Sequence, residues 1–274
     1  MQGYWQKRKK EWIESGLRSD TGRNVALLGS GLESLAKKHG SNLTGTSIFD
    51  PVLCEVVYNW YSPKGGTVYD PFAGGSVRGI VAECLGLRYI GIDLSEKQVE
   101  ANKRNAAAFN VYPTWYCDDS KNADKYISDE SADIVFSCPP YHDLEKYSDN
   151  PLDLSNMPYT AFLSAYDEII RLACKKLKND RFAVFVVGDI RDRKGFYRDF
   201  VGDTKRIFHK HGLFLYNDCV LLEQYGTAPM RAGRQFSALR KVCKTHQNVL
   251  VFYKGDIKEI KNTYANSFEW ANIE

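Results

Sequence analysis

"GTVYDPFAGGSVRGIVAECLGLRYIGID", residues 66–93, contains a complete strand–turn–helix–strand unit. "GTVYD" (66–70) is a short β-type run that stops at Pro71, which has no N–H to give a sheet ladder. Gly74 and Gly75 then remove side chains where the chain turns, and apolar residues recur at helical spacing through Val81 and Leu85. "RYIGID" (88–93) is a second strand. The same alternation continues outward. "SEKQVEANKRNAAAF" reads as a helix with Ser95 as N-cap and Gln98 three residues on. "PTWYCD" (113–118) and "ADIVFS" (132–137) are a third and fourth strand, 157–177 is strongly amphipathic, and "RFAVFVVGD" (181–189) is a buried-type strand. A helix at about 196–211 leads to "LFLYNDCVLL" and "QNVLVFY", two strands with no helix between them that suit an antiparallel pair at the edge. Repeated β–α units require a mostly parallel sheet covered on both faces, so the expected fold class is a doubly wound α/β domain.

With 274 residues, 43% of them apolar and 13% aromatic, the chain can bury the core of one such domain with a short extension. The divisions expected are a basic extension over 1–46, the α/β domain over 47–256 and a tail over 257–274. Cys54, Cys84, Cys117, Cys138, Cys174, Cys219 and Cys243 are scattered without a CxxC pair, which argues against a disulfide frame or a zinc site and for a reducing, cytoplasmic setting. No signal-peptide pattern stands out, and no apolar run approaches the ~20 residues of a membrane span. Neither a metal nor a membrane is therefore expected as a partner. The net charge of +3 decides little, but its distribution says more. Lys7, Arg8, Lys9 and Lys10 form a block that suits a solvated helix start better than a phosphate-contacting arm. Residues 224–245 hold Arg231, Arg234, Arg240, Lys241 and Lys244 without one acidic residue; with their glycines and proline they read as a long loop for an anionic partner.

In doubly wound sheets ligands bind beyond the carboxyl ends of the strands. Asp93 ends the second strand about 20 residues past the glycine turn, the place where a carboxylate suits the two hydroxyls of a ribose. Asp118 and Asp119 end the third, beside Ser120, although Asp also caps helices and turns everywhere. The fourth strand ends in "VFSCPPYHD" (135–143). Two prolines fix their own φ and offer no N–H, so the residues after Ser137 form a stiff, extended loop carrying an aromatic ring.

"DPFAGG", "GIDLS", "CDDS" and "SCPPYHD", in this order, resemble the S-adenosylmethionine-dependent amino-methyltransferases of DNA, with their DPFxGxG turn, acids after strands two and three, and [D/N/S]PP[Y/F/W] loop after strand four. The resemblance covers roughly residues 44–256 and is nearest to compact phage and prophage methylases, of the kind met in restriction–modification. It implies a Rossmann-like methyltransferase sheet and S-adenosylmethionine as cofactor. The cofactor would be held by Phe49 in the helix before the turn, by Asp70, Phe72, Gly74 and Gly75, and by Asp93, Asp118 and Asp119. It also implies that Cys138 and the carbonyl of Pro139, stiffened by Pro140, accept hydrogen bonds from the exocyclic amine of a base, while Tyr141 stacks on that base after it is flipped from the duplex. His142, Arg231, Arg234, Arg240 and Lys241 are the candidate DNA contacts.

Two positions depart from the pattern. Ser76 stands where the family has its second glycine, and Gly75 is expected to supply the freedom instead. Cys138 replaces Asp, Asn or Ser; a thiol is a weak acceptor, so most of the work falls on the Pro139 carbonyl, and its likeness to serine tilts the target toward cytosine N4 over adenine N6. A thiol here also admits cytosine C5 chemistry, but that family puts its proline before the cysteine. A methyltransferase acting on RNA or protein, or a non-catalytic module with this fold, are the remaining readings. No large insertion of the sort that reads bases is visible beyond 142–160 and 224–245, so a short or relaxed recognition sequence, helped by dimerisation, is expected.

Overall fold

A computed structural model describes residues 2–17, 49–142, 148, 150–222 and 228–265 of the chain. Its centre is a seven-stranded sheet. In chain order the strands are β1 (Thr67–Asp70), β2 (Arg88–Asp93), β3 (Thr114–Cys117), β4 (Ala132–Ser137), β5 (Leu177–Val187), β6 (Phe214–Leu222) and β7 (His246–Lys254). In space they lie in the order β3-β2-β1-β4-β5-β7-β6. The first five run parallel, and β7 is antiparallel to both β5 and β6. The chain first adds strands outward from β1 through β2 to β3, then returns to place β4 on the other side of β1. The strand order therefore reverses between β1 and β4, the point beyond whose carboxyl ends sheets of this kind bind their ligands.

The helices are α1 (Gln2–Glu14), α2 (Pro51–Tyr61), α3 (Val77–Cys84), α4 (Glu96–Ala107), α5 (Tyr159–Lys176), α6 (Phe200–Lys210), α7 (Ala228–Leu239) and α8 (Ile260–Tyr264). Their starts follow local chemistry. Asp50 accepts the Val52 amide at 2.9 Å ahead of Pro51, and Ser95 accepts that of Gln98 at 3.2 Å. One apolar core, with Leu53, Val57, Ile80, Val81, Val99 and Trp115, lies under α1–α4. The other, with Phe162, Tyr166, Ile170, Phe200 and Phe208, lies under α5 and α6. Both faces of β4 and of residues 182–187 are buried, which is why these stretches read as unbroken apolar runs. No helix among the described residues is long and apolar enough to cross a membrane.

The doubly wound sheet and its antiparallel pair at the edge agree with the sequence expectation. Three local readings are corrected. Residues 224–245 are not a continuous loop, because α7 occupies Ala228–Leu239 between the last two strands. Pro229 sits in its first turn, where the missing N–H has no helical partner to lose. β5 starts at Leu177 rather than 181, passing through Asp180 at φ 58°. The Lys7–Lys10 block does lie in a helix, as expected, but Arg8 and Lys9 are not simply solvated, for α1 is docked on α2. Arg8 holds Glu55 through Nε and Nη2, the latter at 2.6 Å; Lys9 and the Trp5 indole both reach Asp50; and Lys10 pairs with Glu14.

Gly79 shows how closely α3 approaches the sheet: a Cβ there would lie 2.5 Å from Cζ2 of Trp115. Alanine ordinarily gains about 1 kcal/mol over glycine inside a helix. Gly79→Ala is nonetheless expected to destabilise the protein by about 1–3 kcal/mol, measured by denaturant unfolding, because overpacking dominates.

Candidate active site

The site is built around the turn that follows β1. Asp70 is fully buried, and its carboxylate is taken up within the protein. It accepts Arg78 Nε at 2.6 Å, the Tyr89 hydroxyl at 2.7 Å, the Ser137 hydroxyl at 2.5 Å and the Phe72 amide at 3.2 Å. Arg78, itself 4% exposed, also donates to the carbonyls of Phe72 and Ala73 at 2.7 and 2.9 Å and lies over the ring of Phe49 at 4.5 Å. Burial disfavours the guanidinium charge, but Asp70 outweighs it and the Arg78 pKa is raised. Asp70 is thus a brace for the turn rather than a cofactor contact. Phe72 and Phe49 are half-buried; the Phe72 ring packs on Tyr166 and Phe185, and Phe49 stands edge-on to Phe136.

The turn is tied to every neighbouring strand end. The Ala73 amide donates to the Ile92 carbonyl, and that of Gly74 to Asp93 Oδ2 at 2.9 Å. Asn102 of α4 donates to the Gly74 carbonyl, and Ser120, after β3, to that of Pro71. Ser137, ending β4, accepts the Phe72 amide at 3.2 Å while donating to Asp70. Gly74 has φ 50°, in the region that favours glycine, whereas Gly75 lies outside it. Gly75 therefore does not replace the family's second glycine. Ser76 has right-handed backbone (φ −70°, ψ −14°), which any residue adopts, so serine at that position costs the turn nothing.

Asp93 is half-buried at the rim, with Oδ1 accepting the Ser95 amide at 2.8 Å and Oδ2 that of Gly74. A carboxylate has about four lone-pair sites, so the same two oxygens can also take a ribose diol. A glycine with φ 50° and a rim carboxylate fixed by backbone amides fit a nucleoside-bearing cofactor. Asp119 caps the short helix Ser120–Lys125 through the Lys121 amide and pairs with the Lys121 ammonium at 3.1 Å. Asp118 is directed to that helix as well. The Tyr126 hydroxyl at 2.7 Å, Asn122 and Lys125 hold its carboxyl well below the usual range, which makes it a local anchor. Trp115 belongs to the core, packed on Tyr89.

Beyond Ser137 comes the stiff loop. Pro139 is buried, and Cys138 and Tyr141 are half-buried. The Tyr141 hydroxyl donates to the Val186 carbonyl at 3.3 Å and lies 3.9 Å from Cys138 Sγ, and its ring meets Phe200 edge-on. His142 is not a surface contact for DNA. At φ 48° and 5% exposed, it is bonded through Nε2 to the Met157 carbonyl at 2.8 Å and enclosed by Tyr159 and Phe162. Among the remaining cations, Arg234 and Arg240 are exposed, Arg240 lying over Phe236, and Lys241 is half-buried. The Arg231 side chain and residue 143 lie outside what is described. Arg78 and Ser137 were not singled out in the sequence. The available signal was an arginine interrupting the apolar helical face of Val77, Ile80 and Val81.

Among known families, a model of DNA methylases of the N6/N4 type matches residues 7–104, from α1 through the glycine turn and Asp93 into α4. Over that stretch the chain is similar in sequence to DNA methylases of this type. The resemblance read from the motifs is thereby borne out, and the matched stretch includes the turn with Asp70, Arg78, Tyr89, Asp93 and Asn102, while Ser120 and Ser137 lie beyond it. No curated relative matches the chain. Among solved structures, TrmN from Thermus thermophilus superposes with a TM-score of 0.52 at 16% identity, covering 75% of this chain and 49% of TrmN, so the chain spans about half of that protein. A candidate RNA methyltransferase from Pyrococcus horikoshii gives 0.50 at 17% identity over 91% of this chain and all of the other. The cyclase SpnF gives 0.50 at 16% identity, covering 75% of this chain and 80% of that one. At such identities the likeness is one of fold, and a cyclase among the matches shows that the fold also serves other chemistry.

Arg78→Met leaves the Asp70 carboxylate buried without its cation. The variant is expected to lose about 3–5 kcal/mol in urea unfolding, with part of the loss recovered when Asp70→Asn is combined with it.

Proposed function

We propose that the protein transfers a methyl group from S-adenosylmethionine to the exocyclic amine of a base in DNA. The observation that carries this reading is the junction at Ser137, which joins the loop Cys138–Tyr141 to the glycine turn through Asp70 and the Phe72 amide. A cradle for a nucleoside cofactor and a rigid row of acceptors with an aromatic ring thus meet where the strand order reverses. The DNA methylase match over residues 7–104 supports DNA as the substrate.

Gly74, Asp93 and Asp119 are the residues that would hold the cofactor. When bound, S-adenosylmethionine supplies an electrophilic methyl on its sulfonium. The rest of the work falls to the chain. An amine conjugated to an aromatic base is a poor nucleophile, and acceptors aimed at its N–H bonds return electron density to nitrogen. The Pro139 carbonyl is the main acceptor, held between two fixed φ angles, with the Cys138 sulfur as a weaker one. Such acceptors act because they are oriented before the base arrives. Tyr141, fixed by its bond to Val186, offers a ring face to the base, which must leave the duplex to reach it. His142 is committed to Met157, so the loop works through acceptors rather than an imidazole base. Cysteine at 138, close in shape to serine, favours cytosine N4 as the target over adenine N6.

Digestion and mass spectrometry of DNA incubated with methyl-labelled S-adenosylmethionine tests the reading. Label is expected in N4-methylcytosine or N6-methyladenine. Tyr141→Ala should lower kcat/KM roughly 10- to 100-fold, in line with the about 1–3 kcal/mol of base–aromatic stacking. Cys138→Ser should remain active, because a hydroxyl accepts better than a thiol. Label in 5-methylcytosine, abolished by Cys138→Ser, would overturn the amine mechanism, and cofactor binding without label on DNA would overturn the substrate.

A further inference from the structure

Just beyond β5 the chain makes a tight hairpin that none of the chemistry above uses. Arg191 and Tyr197 form an antiparallel bridge, and the Asp192 amide donates to the Phe196 carbonyl at 2.8 Å. The Gly195 amide closes the turn on the Asp192 carbonyl at 2.9 Å, and Asp192 Oδ1 accepts the Phe196 amide at 2.9 Å. Gly195 has φ 94°, and the Lys241 ammonium lies so close that a Cβ on Gly195 would be 2.6 Å from Nζ. The Arg191 guanidinium covers the Tyr197 ring at 3.9 Å and donates to the Gly195 carbonyl. This is a fixed element, yet Phe196 at its tip is 71% exposed and Tyr197 48%. Arg191, Arg193 and Lys194 are exposed beside them. Within residues 191–197, Arg191, Arg193 and Lys194 stand against Asp192, which already serves the turn, and Lys241 adds a fourth cation at Gly195.

The hairpin is anchored at the proposed site. Its base is held by the Arg198 amide on the Ile190 carbonyl at 3.0 Å, and Arg198 lies over the ring of Tyr159, which also packs on His142 of the acceptor loop. On the other side Gly188 borders Tyr141: a Cβ on Gly188 would stand 3.8 Å from Tyr141 Cε2.

We propose that this hairpin is a wedge for duplex DNA: Phe196 enters the base stack where the target base leaves it, and Arg191, Arg193, Lys194 and Lys241 hold the flanking phosphates. The proposal rests on the DNA reading above. A single exposed ring is ordinary on a protein surface; what distinguishes this one is its place at the tip of a fixed hairpin beside basic residues and next to the proposed site, a charge pattern that suits a polyanion. Apolar wedges at unstacked base steps, flanked by basic residues, are a recurrent device for opening a duplex. Single-stranded DNA has no pair to break, so the wedge should matter for duplex substrate alone.

The test compares methylation rates of wild type and variants on duplex DNA and on the same sequence as single strands. Phe196→Ala is expected to lower the duplex-to-single-strand rate ratio at least 10-fold, and Phe196→Leu to restore most of it. Phe214→Ala, at another exposed ring, on β6, should keep the wild-type ratio. Combined Arg193→Glu and Lys194→Glu should raise KM for duplex DNA and flatten its salt dependence. A wild-type ratio in Phe196→Ala overturns the wedge and leaves the ring to a protein partner, while the DNA reading stands as long as wild type labels DNA. Absence of label from wild type on either substrate overturns both.

Discussion

Asp70 carries a negative charge to the end of a central strand, where no water reaches it. Removing an ion from water costs several kcal/mol even after relaxation, and the cost is met here by a cation eight residues on and by a hydroxyl and an amide on either side. What the arrangement yields is geometry. Arg78 is held against two carbonyls of the glycine turn, so the turn cannot open without stranding a guanidinium; Ser137 is held against the same carboxylate, so the Cys138–Tyr141 loop cannot drift from the turn. Acceptors and dipoles that are in place before substrate arrives need not be reorganised during reaction, and in the proposed reaction this buried pair is what would keep them in place.

The architecture was legible because each central strand is apolar throughout and each helix announces its start. Ser95 with Gln98 and Asp50 with Pro51 are local signals that the packing confirms without modification. The misreadings occur where one residue type has two uses. Pro229 and the glycines around it break a loop as readily as they open a helix, and only the backbone course decides between them. The basic block at 7–10 looks solvated or phosphate-seeking from composition, but the partners of Arg8 and Lys9, Glu55 and Asp50, are more than forty residues away in sequence, a separation no local pattern can reveal.

The same distinction runs through the site. Strand ends and loop stiffness follow from proline and glycine alone, so the places of Gly74, Asp93 and the Cys138–Tyr141 loop could be read in advance. How each side chain is spent could not. Asp70, Asp118 and His142 all stand where chemistry was expected, and all three are consumed by neighbours: an arginine, a tyrosine with an asparagine, and a main-chain carbonyl. Arg78 was silent because a charge at a buried helix position becomes intelligible only once its carboxylate is known.

The insertion of β7 between β5 and β6 imposes an order on synthesis. Strands β2 to β5 can each pair with one made earlier, and every residue of the Asp70 brace lies at or before Ser137, ahead of β5 to β7. β6 has no such partner on emergence, since its only neighbour is the strand that follows it. The outer edge of β5 stays open over the same interval. Both edges are closed together by residues 246–254, so the part of the sheet that carries the Asp70 brace can pair before β6 and β7 exist, while these two β-edges stay exposed until β7 is made.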